Sequence, residues 1–211
     1  MFGPNWRSTF EERVFVGSDN YVKYARADGS FWSFGYSNSN GGAVTYTLAA
    51  PENVIATLTQ GTTDWTLTFL NGEQRLFDNT SGNLVAIIDR NGNTTQLSYN
   101  AVGFLTTVTD PASRTLSFTY GNPSFPGLVT GVTASVGSST SYSYDNQGRL
   151  IQVVEPDGST LNFQYNTQSL ITAVTDSQGV ILESHTYDSG GRGLTSSRAN
   201  GVDAVTVSYT N

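Results

Sequence analysis

A tyrosine returns at near-constant intervals through most of this chain. Tyr99, Tyr120, Tyr144, Tyr165, Tyr187 and Tyr209 are separated by 21, 24, 21, 22 and 22 residues, and Phe77 stands 22 residues before the first of them. A fixed period of this length marks a stacked supersecondary unit that cannot bury its own apolar face alone. Other features keep the same frame. Gly82, Gly103 and Gly148 follow the aromatic position. Each opens an apolar run: Leu84 to Ile88, Phe104 to Val108, Leu150 to Val154. An acid closes each run, at Asp89, Asp110 and Glu155, with Asp176 in the next unit. A second turn signal comes next, Asn91-Gly92 or Pro156-Asp157-Gly158, before an alternating stretch leads back to tyrosine.

These parts specify a hairpin. Glycine accepts the positive φ of a tight turn and proline presets its first corner. The returning stretches alternate with period 2, so Leu116, Phe118 and Tyr120 share a face, as do Leu161, Phe163 and Tyr165, and Val205, Val207 and Tyr209. Strands of about six residues are roughly 20 Å long, and one isolated hairpin of that size is barely stable in water. With strands about 4.8 Å apart, equivalent tyrosines recur roughly every 10 Å. The outgoing strand breaks the alternation, because Leu150 and Val153 are three apart. Either a bulge intervenes or both faces are partly buried. The tyrosine 120 to 144 interval carries an inserted loop, Gly121 to Gly127, and His185 takes the place held by Phe118 and Phe163 elsewhere.

Composition agrees with many short strands joined by turns. The 211 residues include 22 glycines and 12% aromatics, a content that argues against disorder. The net charge of −7 and a single lysine, Lys23, give no basic stripe for nucleic acid. There is no cysteine, so no disulfide or thiolate metal site is expected, and no cofactor is expected either. Leu84 to Ile88 is far too short to span a bilayer, and Met1 to Pro4 does not read as the start of a signal peptide.

The repeats resemble the RHS or YD-repeat family. The residues that carry the likeness are "YDNQGRL" with "PDG" (144–150 and 156–158), "DRNGNTTQLSYN" (89–100), "GFLTTVTDPASRTLSFTY" (103–120) and "RANGV…VSYT" (198–210). "FGPNWRSTFEERV" (2–14) is similar to the segment that precedes the repeats in bacterial members. The resemblance implies an all-β fold: antiparallel hairpin repeats stacked in a continuous spiralling sheet, part of a hollow shell that encloses a C-terminal toxin. It implies delivery by type VI secretion or within ABC-type toxin complexes, a secreted or cell-surface location after a cytoplasmic stage, and kinship with animal adhesion proteins of the teneurin type. Nothing here reads like the family's shell-closing segment, so the chain is expected to be a fragment of a longer shell. Its partners would be the rest of that shell and the toxin domain. Two segments are expected: residues 1–77, a β cap or further strands without the period, and residues 78–211, about six hairpin units.

Three groups of residues are candidates for a site. The recurrent acids Asp89, Asp110, Glu155 and Asp176 are read as turn caps, since a fold rule occurs in every repeat and an active site once. His185, with Glu183 on the same strand face, is read as a polar substitution at a core-lining position. Glu11-Glu12-Arg13 is read as a solvated edge. No catalytic residue is assigned. The alternative function is a glycan- or protein-binding module in which Trp6, Trp32 and Trp65 form a stacking platform, against the ordinary reading of strand tryptophans as core. The returning strand Asp203 to Tyr209 holds no Pro or Lys to guard an edge. It is expected to drive self-association unless a terminal segment folds over it.

Overall fold

A computed structural model describes residues 1–52 and 54–210. Asn211, the last residue of the repeat segment, lies outside the described residues. Among them nineteen strands belong to one antiparallel sheet. In chain order they are β1 (Arg13–Val16), β2 (Val22–Ala25), β3 (Phe31–Asn40), β4 (Ala43–Ala50), β5 (Ala56–Gln60), β6 (Asp64–Phe69), β7 (Gln74–Asp78), β8 (Leu84–Ile88), β9 (Thr94–Tyr99) and β10 (Leu105–Thr109). They continue as β11 (Thr115–Tyr120), β12 (Val129–Ala134), β13 (Ser139–Tyr144), β14 (Leu150–Val154), β15 (Thr160–Tyr165), β16 (Ile171–Thr175), β17 (Ile181–Tyr187), β18 (Gly193–Arg198) and β19 (Val202–Thr206). A single 3₁₀ turn, Ala199–Gly201, precedes β19.

The chain divides into two compact units: Met1, residues 5–118 and 134–136 in the first, residues 2–4, 119–133 and 137–211 in the second. In the first, β1 to β11 pair in strict chain order. Alternation sends Val14, Val22, Tyr24, Phe34, Leu58 and Leu67 to one face, where each is at most 2% exposed. Residues 5–12 form no strand and lie against this unit. Phe10 meets Phe118 edge-on at 6.2 Å, and the Val14 amide donates to the Gly82 carbonyl at 2.9 Å. In the second unit β12 to β19 again pair in chain order. The inserted loop folds back here, with Asn122 accepting the Ser124 and Phe125 amides.

The outgoing strands are bulged. Tyr144 pairs with Leu150 but Ser143 with Gln152, so Ile151 is the extra residue. The same skip occurs at Val85, Thr106, Thr172 and Leu194. An extra residue turns a three-residue spacing into a same-face pair. Leu105 with Val108, and Leu150 with Val153, are therefore buried together at 8% exposure or less. Of the two explanations open from sequence, the bulge is the one realised.

Candidate functional site

The residues that define the repeat make two recurring devices. The first is a turn. From Asp89, Asn100, Asp110, Asp145, Asn166, Asp176 and Asp188, the residue three ahead donates its amide to the starting residue's carbonyl, and the starting amide donates to the carbonyl four ahead. This is the three-residue hairpin loop with a left-handed third residue. That position is usually glycine, as at Gly103 and Gly148, but Ser113 and Ser169 fill it with φ of 62° and 61°. In each turn the starting side chain's Oδ1 accepts the amides two and four residues on, at 2.8–3.1 Å.

Glu155 starts the same turn, yet its longer side chain has no part in it. Asp157, two residues on, accepts the Ser159 amide instead. Asp28 and Asn71 do the same in the turns begun by Arg26 and Phe69. The rule is an Asp or Asn at the first position or at the third. Four of the capping aspartates, Asp89, Asp110, Asp145 and Asp188, titrate low. The Arg114 amide holds Asp110 below its ordinary value, the Arg192 amide does so for Asp188, and the Asn93 side-chain amide for Asp89. Hydrogen bonds to the charged form stabilise it. At Asp145 burial pushes upward but is outweighed by the Arg149 amide and guanidinium.

The second device is a clasp. Five repeat tyrosines, four ending a returning strand and Tyr209 just beyond β19, donate their hydroxyls to a backbone carbonyl 15 or 16 residues back: Tyr99 to Leu84 at 2.7 Å, Tyr144 to Val129 at 2.6 Å, Tyr165 to Leu150 at 2.6 Å, Tyr187 to Ile171 at 2.8 Å, Tyr209 to Gly193 at 3.0 Å. The accepting residues are themselves register partners of the preceding tyrosines: Leu150 faces Tyr144, Ile171 faces Tyr165 and Gly193 faces Tyr187. The clasps therefore interlock from repeat to repeat. Phe77 faces Leu84 in the same register and is fully buried without a hydroxyl. Tyr120 ends β11 at the same frame position. Arginine joins turn to clasp. Asp145 holds Arg149 at 2.6 Å, and that guanidinium lies 4.9 Å above the Tyr165 ring. Asp188 holds Arg192 at 2.7 Å, and Arg192 lies 4.4 Å above Tyr209. The aspartate fixes the fork while the ring takes its face.

These spacings match a known pattern of repeats. The family model described as "Teneurin YD-shell" matches residues 69–211. The chain belongs to the teneurin YD-shell family. Its hairpins are thus shell-building units, with turn and clasp the two devices that join one YD unit to the next. No curated protein matches the chain. Among solved structures it is similar, at 14% identity, to a chain in the crystal structures of TcdB2-TccC3-Cdc42 (TM-score 0.44) and TcdB2-TccC3-TEV (0.48). A Photorhabdus luminescens Tc holotoxin pore with mutant TccC3 gives 14% and 0.46. These cover 88%, 93% and 89% of this chain, but the chain spans only 11–12% of theirs.

The remaining candidates are placed as follows. Trp32 and Trp65 are buried, at 8% and 5% exposure, so the three tryptophans form no exposed platform. His185 lies 3.7 Å from Glu183 and faces Ser196 across the ladder. Among the described residues no three His, Asp or Glu come together as a metal would require. The solvated reading of Glu11-Glu12-Arg13 is wrong for both acids. Glu11 pairs with the Met1 ammonium and accepts the Ser8 amide. The Glu12 side chain is 12% exposed; it accepts from Tyr24 Oη at 2.8 Å and lies 3.3 Å from Arg75 Nε. Burial pushes Glu12 above its ordinary carboxyl value against the pull of Tyr24 and Arg75. Burial likewise pushes the Tyr24 hydroxyl up. The cause is that residues 5–12 lie against the sheet rather than along an edge, and a charge so placed needs partners. Local sequence carries no signal of this, because Arg75 is 63 residues away.

Proposed function

We propose that this chain is a length of YD-shell wall that encloses or presents a toxin domain and does no chemistry itself. The observation that carries the reading is where the polar groups go. The recurrent Asp and Asn side chains cap their own turns, and five tyrosine hydroxyls are engaged on carbonyls. Groups spent on the wall are not poised for proton transfer or nucleophilic attack. The resemblance to RHS proteins supports the remainder: a toxin domain as cargo, delivery by type VI secretion or an ABC-type complex, and a role outside the producing cell.

The wall grows by strand addition in this reading. All five residues of β19 are exposed, with Val202 and Val205 more than half so. Its outer edge would receive the next hairpin of the shell or, in this chain alone, a second copy. The deciding experiment is to read the gene on both sides of these 211 residues. Further YD units leading to a closing segment and a variable C-terminal domain are expected. A stop codon after Asn211 would overturn enclosure by one chain. Sedimentation over a rising concentration series tests the edge separately. Association is expected, and a monomer at high concentration would sink that part.

A further inference from the structure

One recess in the first unit has no part in turn or clasp. It encloses about 480 Å³. Ile87 and Thr95, register partners on β8 and β9, contribute to it, as do Val108 and Leu116, partners on β10 and β11. Phe10 lines it from residues 5–12, and Ala134 to Val136 line it from the tip of the β12–β13 hairpin. That tip is held in place: the Ser135 amide donates to the Thr115 carbonyl at 2.8 Å, and the Thr115 amide donates to Ser135 Oγ at 3.1 Å.

Apart from Thr95 on β9, the polar residues of the recess are Asp110, Arg114, Thr115 and Ser135. Asp110 is spent: Oδ1 accepts the Ala112 and Arg114 amides, and Oδ2 accepts Arg114 Nε and Nη2, both at 2.6 Å. The guanidinium is thereby held in place on a turn while 73% exposed, and its Nη1 meets no acceptor among the described residues. The Ser135 hydroxyl accepts a hydrogen bond but donates none among them. Two donors without an acceptor partner among the described residues thus stand beside a mostly aliphatic and aromatic lining.

We propose that this recess binds a small amphiphile: an aliphatic body with one acidic, hydrogen-bond-accepting head. Its volume falls in the range of about 300–1,000 Å³ typical of small-molecule sites, which are mostly apolar with a few placed polar groups. The head meets Arg114 Nη1 and Ser135 Oγ, while the body lies against Ile87, Val108 and Leu116. The inference goes beyond the shell-wall role and does not depend on it.

The test uses decanoate and decanol as paired probes. Each is titrated into the full chain below its micelle-forming concentration and followed by methyl shifts of Ile87, Val108 and Leu116. Saturable decanoate binding with shifts confined to these methyls is expected. Ala134→Phe, filling the recess from the hairpin side, is expected to weaken binding at least about tenfold, equivalent to roughly 1.4 kcal/mol. Val136→Trp, starting from a position 78% exposed, gives a second blocking variant should the first disturb folding. Arg114→Gln is expected to weaken decanoate several-fold and leave decanol unchanged. Absence of saturable binding, shifts centred on β19 instead, or binding that survives both blocking variants would overturn the proposal. Equal weakening of both probes by Arg114→Gln would overturn the acidic head.

Discussion

The two units are built from the same hairpin but held by different means. Of the 21 buried apolar residues among those described, 17 lie in the first unit and four, Val129, Leu150, Val153 and Ala173, in the second. Burial also fades along the second unit: Leu150 is 2% exposed, Ala173 9%, and β17 to β19 hold no buried residue. Of the five clasps described above, four, those of Tyr144, Tyr165, Tyr187 and Tyr209, fall in that thinner unit, as do Arg149 and Arg192 stacked on clasp tyrosines. Where a face is covered, as Phe10 and Glu12 cover part of the first unit, removal of apolar area from water is the main stabilising term. Where it is not, the backbone ladder and its clasps carry a larger share, and each hydrogen bond contributes only about 1 kcal/mol net.

The sharpest way to break this comparison is to remove the same frame position in both units. Phe77 and Tyr187 each face the first residue of the following strand across a bulge. Phe77 is fully buried between Tyr24 and the strands around it. Phe77→Ala is expected to cost about 3–5 kcal/mol, the range for a core aromatic. Tyr187→Ala loses one hydroxyl clasp and a half-buried ring, and about 1–2 kcal/mol is expected. Urea unfolding of both variants measures this. Equal costs would mean that the second unit has a core as substantial as the first.

The repeat glycines divide next. Gly82 has φ of +70°, and a Cβ there would run into the Val14 carbonyl, which is backbone and cannot move aside alone. Gly103 has φ of +86° with nothing within 4 Å of that Cβ. Gly103→Ala meets only the left-handed strain of about 1 kcal/mol. Gly82→Ala adds a backbone collision, and about 2–3 kcal/mol is expected in total. In the sequence these two glycines occupy one motif position, so a motif alone predicts one cost. Thermal unfolding of the pair separates them.

That case shows how far the sequence was legible. The hairpin, the period and the glycine turns follow from spacing, because turn geometry and strand alternation are local. The clasp was half visible: tyrosine recurrence was plain, but its acceptor is a backbone carbonyl, which carries no letter. Capping by the third residue, Asp157 in place of Glu155, was missed because the acids were aligned by position and not by side-chain reach. Glu12 was misread because its partners, Tyr24 and Arg75, are brought to it by the fold of the first unit.

Glu12 also sets the two units apart in acid. Its pKa is raised, so the neutral form is the one folding favours. The stability it contributes is full below the ordinary value of 4.5 and is lost as pH rises through the raised value. Two capping aspartates of the second unit have the opposite sign. Asp145 and Asp188 contribute above their ordinary value of 3.8 and lose that contribution as pH falls through their depressed values. Glu12→Gln is therefore expected to flatten the rise in stability of the first unit between neutral pH and pH 4.5, at a cost of about 2 kcal/mol near pH 7 from loosening Arg75, which keeps Glu73 at 2.6 Å. Amide exchange across that range, read separately on β2–β7 and β14–β18, checks the sign. A first unit whose pH profile is unchanged by Glu12→Gln would show that the carboxyl is not the group responsible.

The smallest effect isolates the clasp itself. Tyr165→Phe keeps the ring and the Arg149 stack but removes the donor to Leu150, at a partly buried site. Tyr209→Phe removes the same bond at an exposed site, 3.0 Å from Gly193, where water can replace it. About 1 kcal/mol is expected for Tyr165→Phe and a few tenths for Tyr209→Phe. Because the Leu150 carbonyl belongs to the residue facing Tyr144, losing the Tyr165 clasp is expected to raise amide exchange in β14 and β15 together. Tyr209→Phe, at the last clasp, is expected to affect β18 and β19 alone. If both variants raise exchange only at the substituted strand, the clasps are independent bonds and not an interlocked series.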